Sequence, residues 1–242
     1  MLATLLGGRA YAEKFGDGEP QAVALHGWAR NRSDWTATLT GMDALALDLP
    51  GFGATPTPPA GWTTSEYATW VTQIVEDLDR PVLVGHSFGG RIAIQLAATA
   101  PELVRGLVLT GVPFFRGRSH SRPPLGFRMA RSAHANGLIS DESMEKYRHK
   151  YGSADYRATS GHMRDVLVQA VNEEYAVQLD TIARSGLPVR LVWGEADEVS
   201  PLWMAQRAAH ILDAPFVVVP NSGHHLDARI SASLRAAIES LP

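Results

Sequence analysis

Short, mainly apolar runs recur along the chain, and longer segments with helical spacing of apolar and polar positions separate them. The runs lie at residues 22–25, 44–47, 81–84, 107–109, 189–193 and 216–219. Buried parallel strands have this pattern because helices cover both faces of their sheet. The pattern therefore predicts an α/β fold with a mostly parallel sheet and helices on both faces.

The first 15 residues predict an additional hairpin. Two mildly alternating pieces flank Gly-Gly at 7–8, and Gly-Asp-Gly follows at 16–18, which favours two short antiparallel strands. The sheet then has about eight strands. Thr63, three residues before Glu66, predicts a capping box for a helix that runs to about Leu78.

The strand pattern stops between Pro113 and Ser185, where the sequence is helical in character. We predict a helical cap at 114–185, inserted between two parts of the core at 1–113 and 186–242. Because glycine and proline interrupt helices, we expect breaks between its helices at five residues: Pro123, Pro124, Gly126, Gly137 and Gly152.

One motif stands between a predicted strand and a predicted helix. Residues 85–89 read Gly-His-Ser-Phe-Gly and directly follow the apolar run at 81–84. This G-x-S-x-G context is typical of a nucleophile elbow, a strained turn that lifts the serine hydroxyl clear of the sheet. Ser87 is the candidate nucleophile.

A serine hydroxyl needs a base that a carboxylate orients. Asp197 and His224 follow the runs at 189–193 and 216–219, and open α/β sheets place their sites at such strand ends. The order Ser87, Asp197, His224 is the order of triads in α/β-hydrolases. These residues are the predicted catalytic triad.

Alternatives remain for two of the three positions. Asp197 could cap a helix, with Glu195 or Glu198 as the acid. His225 is adjacent to His224 and could be the base. A metal site that uses both histidines and Asp227 is a weaker alternative, since no further ligand follows at helical spacing; we predict neither metal nor cofactor.

The chain resembles the α/β-hydrolase superfamily in further motifs: His-Gly-Trp at 26–28 and Asp-Leu-Pro-Gly-Phe-Gly at 48–53. Within it, the chain is similar to small cytoplasmic carboxylesterases of the pimeloyl-carrier-protein methyl esterase type. The resemblance implies oxyanion-hole donors at the backbone N–H groups of Trp28 and Phe88. Both side chains would also line the substrate pocket, for which Phe114 and Phe115 are further candidates.

Composition and charge narrow the classes of partner. The formal net charge of −3 offers no basic field for a nucleic acid. The chain contains no cysteine, which excludes thiolate chemistry. Residues 2–6 are too short for a membrane span and lack the features of a signal peptide, so we expect a cytoplasmic protein, with a monomer favoured.

The predicted cap differs in charge from the rest of the chain. Residues 114–184 hold 11 of the 22 Lys and Arg residues against 8 Asp and Glu. Such charges usually lie on solvated helix faces. The alternative is that Arg116, Arg118 or Arg122 steers an anionic acyl or carrier group toward the site.

These observations predict a serine hydrolase that cleaves a carboxylic ester, or alternatively a thioester, of a small molecule or an acyl carrier. Fold analogy alone leaves other functions open. The same triad could serve a hydrolase of carbon–carbon bonds in meta-cleavage products, or a lyase resembling the menaquinone-pathway enzyme. A triad-retaining ligand receptor is a further alternative.

Overall fold

An eight-stranded sheet forms the centre of the computed structural model, which describes residues 1–116 and 124–242. Its order is β1-β2-β4-β3-β5-β6-β7-β8. The strands are β1 (Leu2–Leu5), β2 (Ala10–Phe15), β3 (Ala22–Leu25), β4 (Ala44–Asp48), β5 (Val82–His86), β6 (Gly106–Thr110), β7 (Val189–Gly194) and β8 (Phe216–Val219).

The sheet is mostly parallel, as the apolar runs predict. Six strands lie side by side in the order β4, β3, β5, β6, β7 and β8, and each pairs in parallel with its neighbours. Only β2 departs from this direction, because it pairs antiparallel with both β1 and β4. The predicted opening hairpin and fold class are therefore confirmed.

Apolar side chains fill both faces of the central strands. Alternate residues of a strand point to opposite faces, so Leu25 belongs to one buried cluster and Ala24 to the other. All residues of β3 and β5 are buried. This double burial explains why these strands have no polar alternation.

Helices cover both faces of the sheet. Helices α2, α3, α8 and α9 contribute to the larger cluster and α1 and α10 to the smaller one. The helices are α1 (Thr36–Leu39), α2 (Thr64–Val75), α3 (Phe88–Thr99), α4 (Leu125–Ala135), α5 (Asp141–Tyr151), α6 (Ala154–Ala158), α7 (Gly161–Ala170), α8 (Ala176–Ser185), α9 (Leu202–Leu212) and α10 (Ala228–Glu239).

Helix α2 begins as the sequence predicts. The Thr63 side chain accepts from the Glu66 N–H, and the Glu66 carboxylate accepts from the Thr63 N–H at 2.7 Å. This reciprocal pair is the predicted capping box. The helix ends at Val75, three residues before the predicted end, because Leu78 already belongs to the turn that follows.

The segment predicted as a cap is helical, with one correction. Gly137 and Gly152 follow the ends of α4 and α5, and Pro124 caps the start of α4. Gly126 lies inside α4, so the break predicted there is wrong; a single glycine costs a helix only about 1 kcal/mol. Pro123 lies outside the described residues.

The last helix of the segment lies in the layer that covers the sheet. Helix α8 packs against α3 and α9, and Leu179 and Ile182 bury its inner face. The division of the chain at residues 113 and 185 stays a prediction. Within the described ranges, no helix has both the length and the apolar character needed to cross a membrane.

Candidate active site

Ser87 stands at the turn between β5 and α3. Its backbone has φ 51° and ψ −110°, a positive φ that is uncommon for a residue other than glycine and is strained. The Ser87 N–H donates to the Thr110 carbonyl at 3.0 Å, which anchors the turn to β6. At Gly89 any Cβ would collide with the Leu25 carbonyl, so the helix start can approach β3 only with glycine there.

The structure brings Ser87, His224 and Asp197 together. His224 Nε2 lies 3.1 Å from Ser87 Oγ, and His224 Nδ1 lies 2.9 Å from Asp197 Oδ2. The three residues follow β5, β8 and β7 in turn, whose parallel carboxyl ends meet at one edge of the sheet. The geometry matches a nucleophile, a base and an orienting carboxylate.

Asp197 is fixed by backbone donors as well as by His224. Its Oδ1 accepts from the N–H groups of Val199 at 2.9 Å and Ser200 at 2.7 Å. It does not cap α9, whose N-cap residue is Pro201. The alternative acids Glu195 and Glu198 are both exposed, and a Glu195 oxygen lies 3.3 Å from the Asn221 N–H.

The neighbours of His224 face elsewhere. His225 is exposed, and its ring centroid lies 5.8 Å from that of His224. Asp227 caps α10 by accepting from the N–H groups of Arg229 and Ile230. Among the described residues, no group of three or more His, Asp or Glu side chains is placed to hold a metal ion.

The predicted oxyanion donors lie beside the serine. A Cβ built on Gly27 would lie 3.5 Å from Ser87 Cβ, so the turn before Trp28 passes close to the nucleophile. Phe88 is the first residue of α3, where backbone N–H groups have no acceptor within the helix. Within the described part of the chain, neither N–H group donates to another backbone carbonyl. Their role as oxyanion donors stays a prediction.

Two buried histidines, His26 and His86, flank these groups, and both are hydrogen-bonded. Burial, opposed by a bond to the Gly27 carbonyl, lowers the pKa of His26 from 6.5 to about 4. Since His26 Nε2 accepts from the Leu49 N–H at 3.0 Å, Nδ1 carries the proton and donates to Gly27 O at 2.7 Å. Burial and the nearby His224 lower the pKa of His86 to about 3.

The sequence of this site and fold matches one known family. Residues 22–231, most of the chain, match the model of the alpha/beta hydrolase family. The chain belongs to the alpha/beta hydrolase family. This membership confirms the predicted resemblance and the prediction of a hydrolase.

Two curated relatives match most of this hydrolase. It is 28% identical over 233 residues to the dihydrolipoyllysine-residue acetyltransferase component of the acetoin cleaving system of Cupriavidus necator. The match covers 85% of this chain but only 57% of that relative, so the chain spans less than two thirds of its length. It is also 28% identical over 236 residues to the pimeloyl-[acyl-carrier protein] methyl ester esterase of Aromatoleum aromaticum, covering 85% of this chain and 91% of the esterase.

Solved structures share the fold of this hydrolase. A thermophilic esterase from Thermogutta terrifontis superposes with a TM-score of 0.68 at 21% identity, over 98% of this chain and 94% of the esterase. At this identity the likeness concerns the fold alone. It agrees with the eight-stranded, mostly parallel sheet described above.

Aromatic rings surround the candidate oxyanion turn. Trp28 meets Phe52 and Phe88 edge to face, at centroid distances of 5.0 and 5.2 Å. Phe88 also meets Tyr67 at 5.2 Å. Sequence reasoning did not single out Phe52, although it lies in the Asp-Leu-Pro-Gly-Phe-Gly motif. Trp28 and Phe52 are only partly buried, and the assignment of Trp28 and Phe88 to the substrate pocket stays a prediction.

The other two pocket candidates lie among core residues. Phe114 is completely buried, and its ring stacks on Trp193 at 5.6 Å. Phe115 stacks on Trp203 at 6.3 Å and lies beneath the Arg207 guanidinium. Their assignment to the substrate pocket stays a prediction.

Ser200 supports the site and was also missed. It is completely buried, and its Oγ donates to the Gly111 carbonyl at 2.9 Å while its N–H holds Asp197. This pair of bonds ties the loop after β7 to the end of β6. The signal in the sequence was only its spacing of three residues from Asp197, which is typical of an Asx-type turn.

Asp48 is hydrogen-bonded to backbone and side-chain groups of two loops. Asp48 accepts from the N–H groups of Arg32 and Ala54 at 2.9 and 2.8 Å and pairs with the Arg32 guanidinium. Its role in the structure is therefore to hold these two loops.

The basic residues at the start of the predicted cap are described only in part. Arg116 donates to the backbone and side chain of Asn172. Arg118 and Arg122 lie outside the described residues, and the proposed steering of an anion stays a prediction.

Proposed function

We propose that this hydrolase cleaves carboxylic esters through an acyl-enzyme formed on Ser87. The observation that carries the proposal is the connected arrangement of Ser87 Oγ, the His224 ring and the Asp197 carboxylate, with distances of 3.1 and 2.9 Å between them. Hydrogen-bond contact from nucleophile to base and from base to orienting group is the signature of nucleophilic catalysis.

In the acylation step, His224 Nε2 accepts the hydroxyl proton as Ser87 Oγ attacks the ester carbonyl carbon. The tetrahedral oxyanion forms beside the N–H groups of Trp28 and Phe88, which would stabilise it without moving. The intermediate then expels the alcohol as His224 returns the proton to the leaving oxygen. Asp197 keeps the proton of the neutral ring on Nδ1, so that Nε2 can act as the base.

Water completes the reaction in the same geometry. It attacks the acyl carbon as it gives one proton to His224. The second intermediate then breaks its bond to Ser87 Oγ and releases the carboxylic acid, while His224 returns the proton to Oγ and restores the Ser87 hydroxyl. After one full turnover, the enzyme is unchanged in charge and composition. A thioester would pass through the same acyl-enzyme with a thiol as leaving group.

Two further findings support an ester as the substrate. The relative from Aromatoleum aromaticum acts on a methyl ester, and it matches this chain over most of both lengths. The partly buried rings of Trp28 and Phe52 next to the oxyanion turn would offer an acyl chain an apolar surface. We propose a small-molecule ester or an acyl-carrier ester as substrate, with the cytoplasm as the location.

The test is covalent labelling of Ser87 with a fluorophosphonate, together with a burst of p-nitrophenol from p-nitrophenyl acetate. Ser87→Ala should abolish labelling and lower kcat by at least about 10³-fold, because the nucleophile is lost. Ser65→Ala changes an exposed serine of α2 and should label as the wild type does. Labelling of Ser87 without any Ser87-dependent hydrolysis of p-nitrophenyl acetate, either as a burst or at steady state, would contradict the proposal and favour the carbon–carbon hydrolase or lyase.

A further inference from the structure

His86 is buried next to the candidate site. It is the last residue of β5, it directly precedes Ser87, and only 2% of its surface is exposed. The proposed mechanism assigns it no role. Its ring nevertheless lies close both to the turn at Gly27 and to the loop that carries His224.

On one side, His86 bonds to the backbone of the candidate base. Its Nε2 lies 2.8 Å from the carbonyl oxygen of His224, and the two ring centroids are 4.9 Å apart. A carbonyl oxygen can only accept, so Nε2 carries the proton and donates it. This bond joins residues 138 positions apart in the chain.

On the other side, His86 packs against the oxyanion turn. A Cβ built on Gly27 would lie 2.9 Å from His86 Nδ1. With the proton on Nε2, Nδ1 is an acceptor, and it is buried without a hydrogen-bond partner among the described residues. The ring therefore occupies the space between the turn at Gly27 and the loop that carries His224.

We propose that His86 is a positioning residue that holds the His224 loop and the Gly27 turn at fixed distances from Ser87. The inference rests on the proposed function. The bond to the His224 carbonyl fixes the backbone of the base, whereas Asp197 and Ser87 contact only its ring. Displacements of about 1 Å in such a group can cost about 10²-fold in rate.

The unpartnered nitrogen argues against a role in packing alone. A buried acceptor without a donor costs free energy, so an apolar ring of similar size would fill this space at lower cost. Histidine also has a donor at Nε2, which an apolar ring lacks. The lowered pKa of His86 keeps its ring neutral, so His224 can take up a proton without a second positive charge beside it.

The experiment compares two variants. His86→Phe keeps an aromatic ring and removes the donor, whereas the amide of His86→Gln can place an N–H near the position of Nε2. With a fluorophosphonate we expect His86→Phe to lower the maximal rate of labelling about 10- to 100-fold, with less than about a threefold change in the half-saturating concentration. His86→Gln should stay within about fivefold of the wild type.

Two controls separate positioning from stability. Val84→Ala removes apolar volume from the same strand and should lower Tm while leaving the labelling rate unchanged. If His86→Phe does not fold, as judged by circular dichroism, His86→Asn replaces it, because its shorter amide cannot reach the His224 carbonyl.

Three results would overturn the inference. Wild-type rates in folded His86→Phe would show that the bond is unimportant. Equal losses in His86→Phe and His86→Gln would show that only the shape of the histidine ring matters. No labelling of Ser87 in the wild type would defeat the proposed function itself, and it is distinguished from the other two results because it needs no variant.

Discussion

Asp197 holds His224 and two backbone donors at once. Oδ2 lies 2.9 Å from His224 Nδ1, whereas Oδ1 lies 3.1 Å from that nitrogen and also accepts from the N–H groups of Val199 and Ser200. The backbone bonds hold the carboxylate in place whether or not the histidine is correctly protonated. One substitution can therefore change the effect of Asp197 on the His224 tautomer while the side chain stays in its position.

Asp197→Asn should lower kcat/KM for p-nitrophenyl acetate by about 10³- to 10⁴-fold. The amide oxygen can keep the bonds to Val199 and Ser200, so the amide nitrogen faces His224 and favours the tautomer with the proton on Nε2. That tautomer cannot accept the Ser87 proton. The measurement is steady-state kinetics, with Tm as the check on folding.

Glu198→Gln is the matched control, since Glu198 is the exposed neighbour that remained an alternative acid. We expect it to retain activity within about threefold of the wild type. A large loss in Glu198→Gln with little loss in Asp197→Asn would reverse the assignment of the acid.

At the scale of elements, helix α7 rests on the core through Met163. This side chain is 9% exposed, contacts the Pro50–Gly51 turn closely enough to exclude a Cβ at Gly51, and lies 3.9 Å from the Tyr67 hydroxyl. Tyr67 in turn meets the Phe88 ring. Helix α7 is thus packed against the aromatic residues that border the oxyanion turn.

Met163→Ala should destabilise the protein by about 2–5 kcal/mol, because it removes a buried side chain and leaves a cavity. Val168→Ala in the same helix is the control: Val168 is 40% exposed, and its loss should cost less than about 1 kcal/mol. Urea unfolding measures both. Equal, small effects would show that α7 does not depend on Met163.

The elements were predictable where burial alone determines them. The strands β3, β5 and β6 are buried on both faces and therefore appear in the sequence as continuous apolar runs. The capping box at Thr63 was predictable because its signal is local. The break predicted at Gly126 was wrong because the chain is interrupted two residues earlier, at Pro124, and Gly126 already lies in the first turn of α4. The packing of α8 on α3 joins residues far apart in the chain, such as Gln95 and Gln178, which are 83 positions apart, and local spacing does not reveal such contacts.

In the molecule as a whole, the parallel direction of the strands explains why the site residues lie together. Ser87, Asp197 and His224 could be chosen from the sequence because parallel strands end at one edge. The bond from His86 to the His224 carbonyl could not, since it depends on how two distant loops pack. Phe114 illustrates the same limit: its aromatic ring suits a pocket as well as a core, and only the structure places it against Trp193.

Burial of two neutral histidines ties the stability of the whole fold to pH. The pKa of His26 falls to about 4 and that of His86 to about 3, mainly because both are buried. In the unfolded chain both take up protons below about pH 6.5. The unfolded state then binds more protons than the native state, so the free energy of unfolding decreases as pH falls.

Each histidine should remove about 1 kcal/mol for each pH unit between about pH 6 and pH 4. Well above pH 6.5 both are neutral in either state, so this contribution to stability is fully present there, and it is lost as pH falls toward the folded pKa values. Glutamine does not titrate, so the stability difference between His86→Gln and the wild type should shift in favour of the variant by about that amount per pH unit. Urea unfolding at pH 7, 6 and 5 measures it. A difference that stays constant across this range would show that His86 does not remain neutral in the fold.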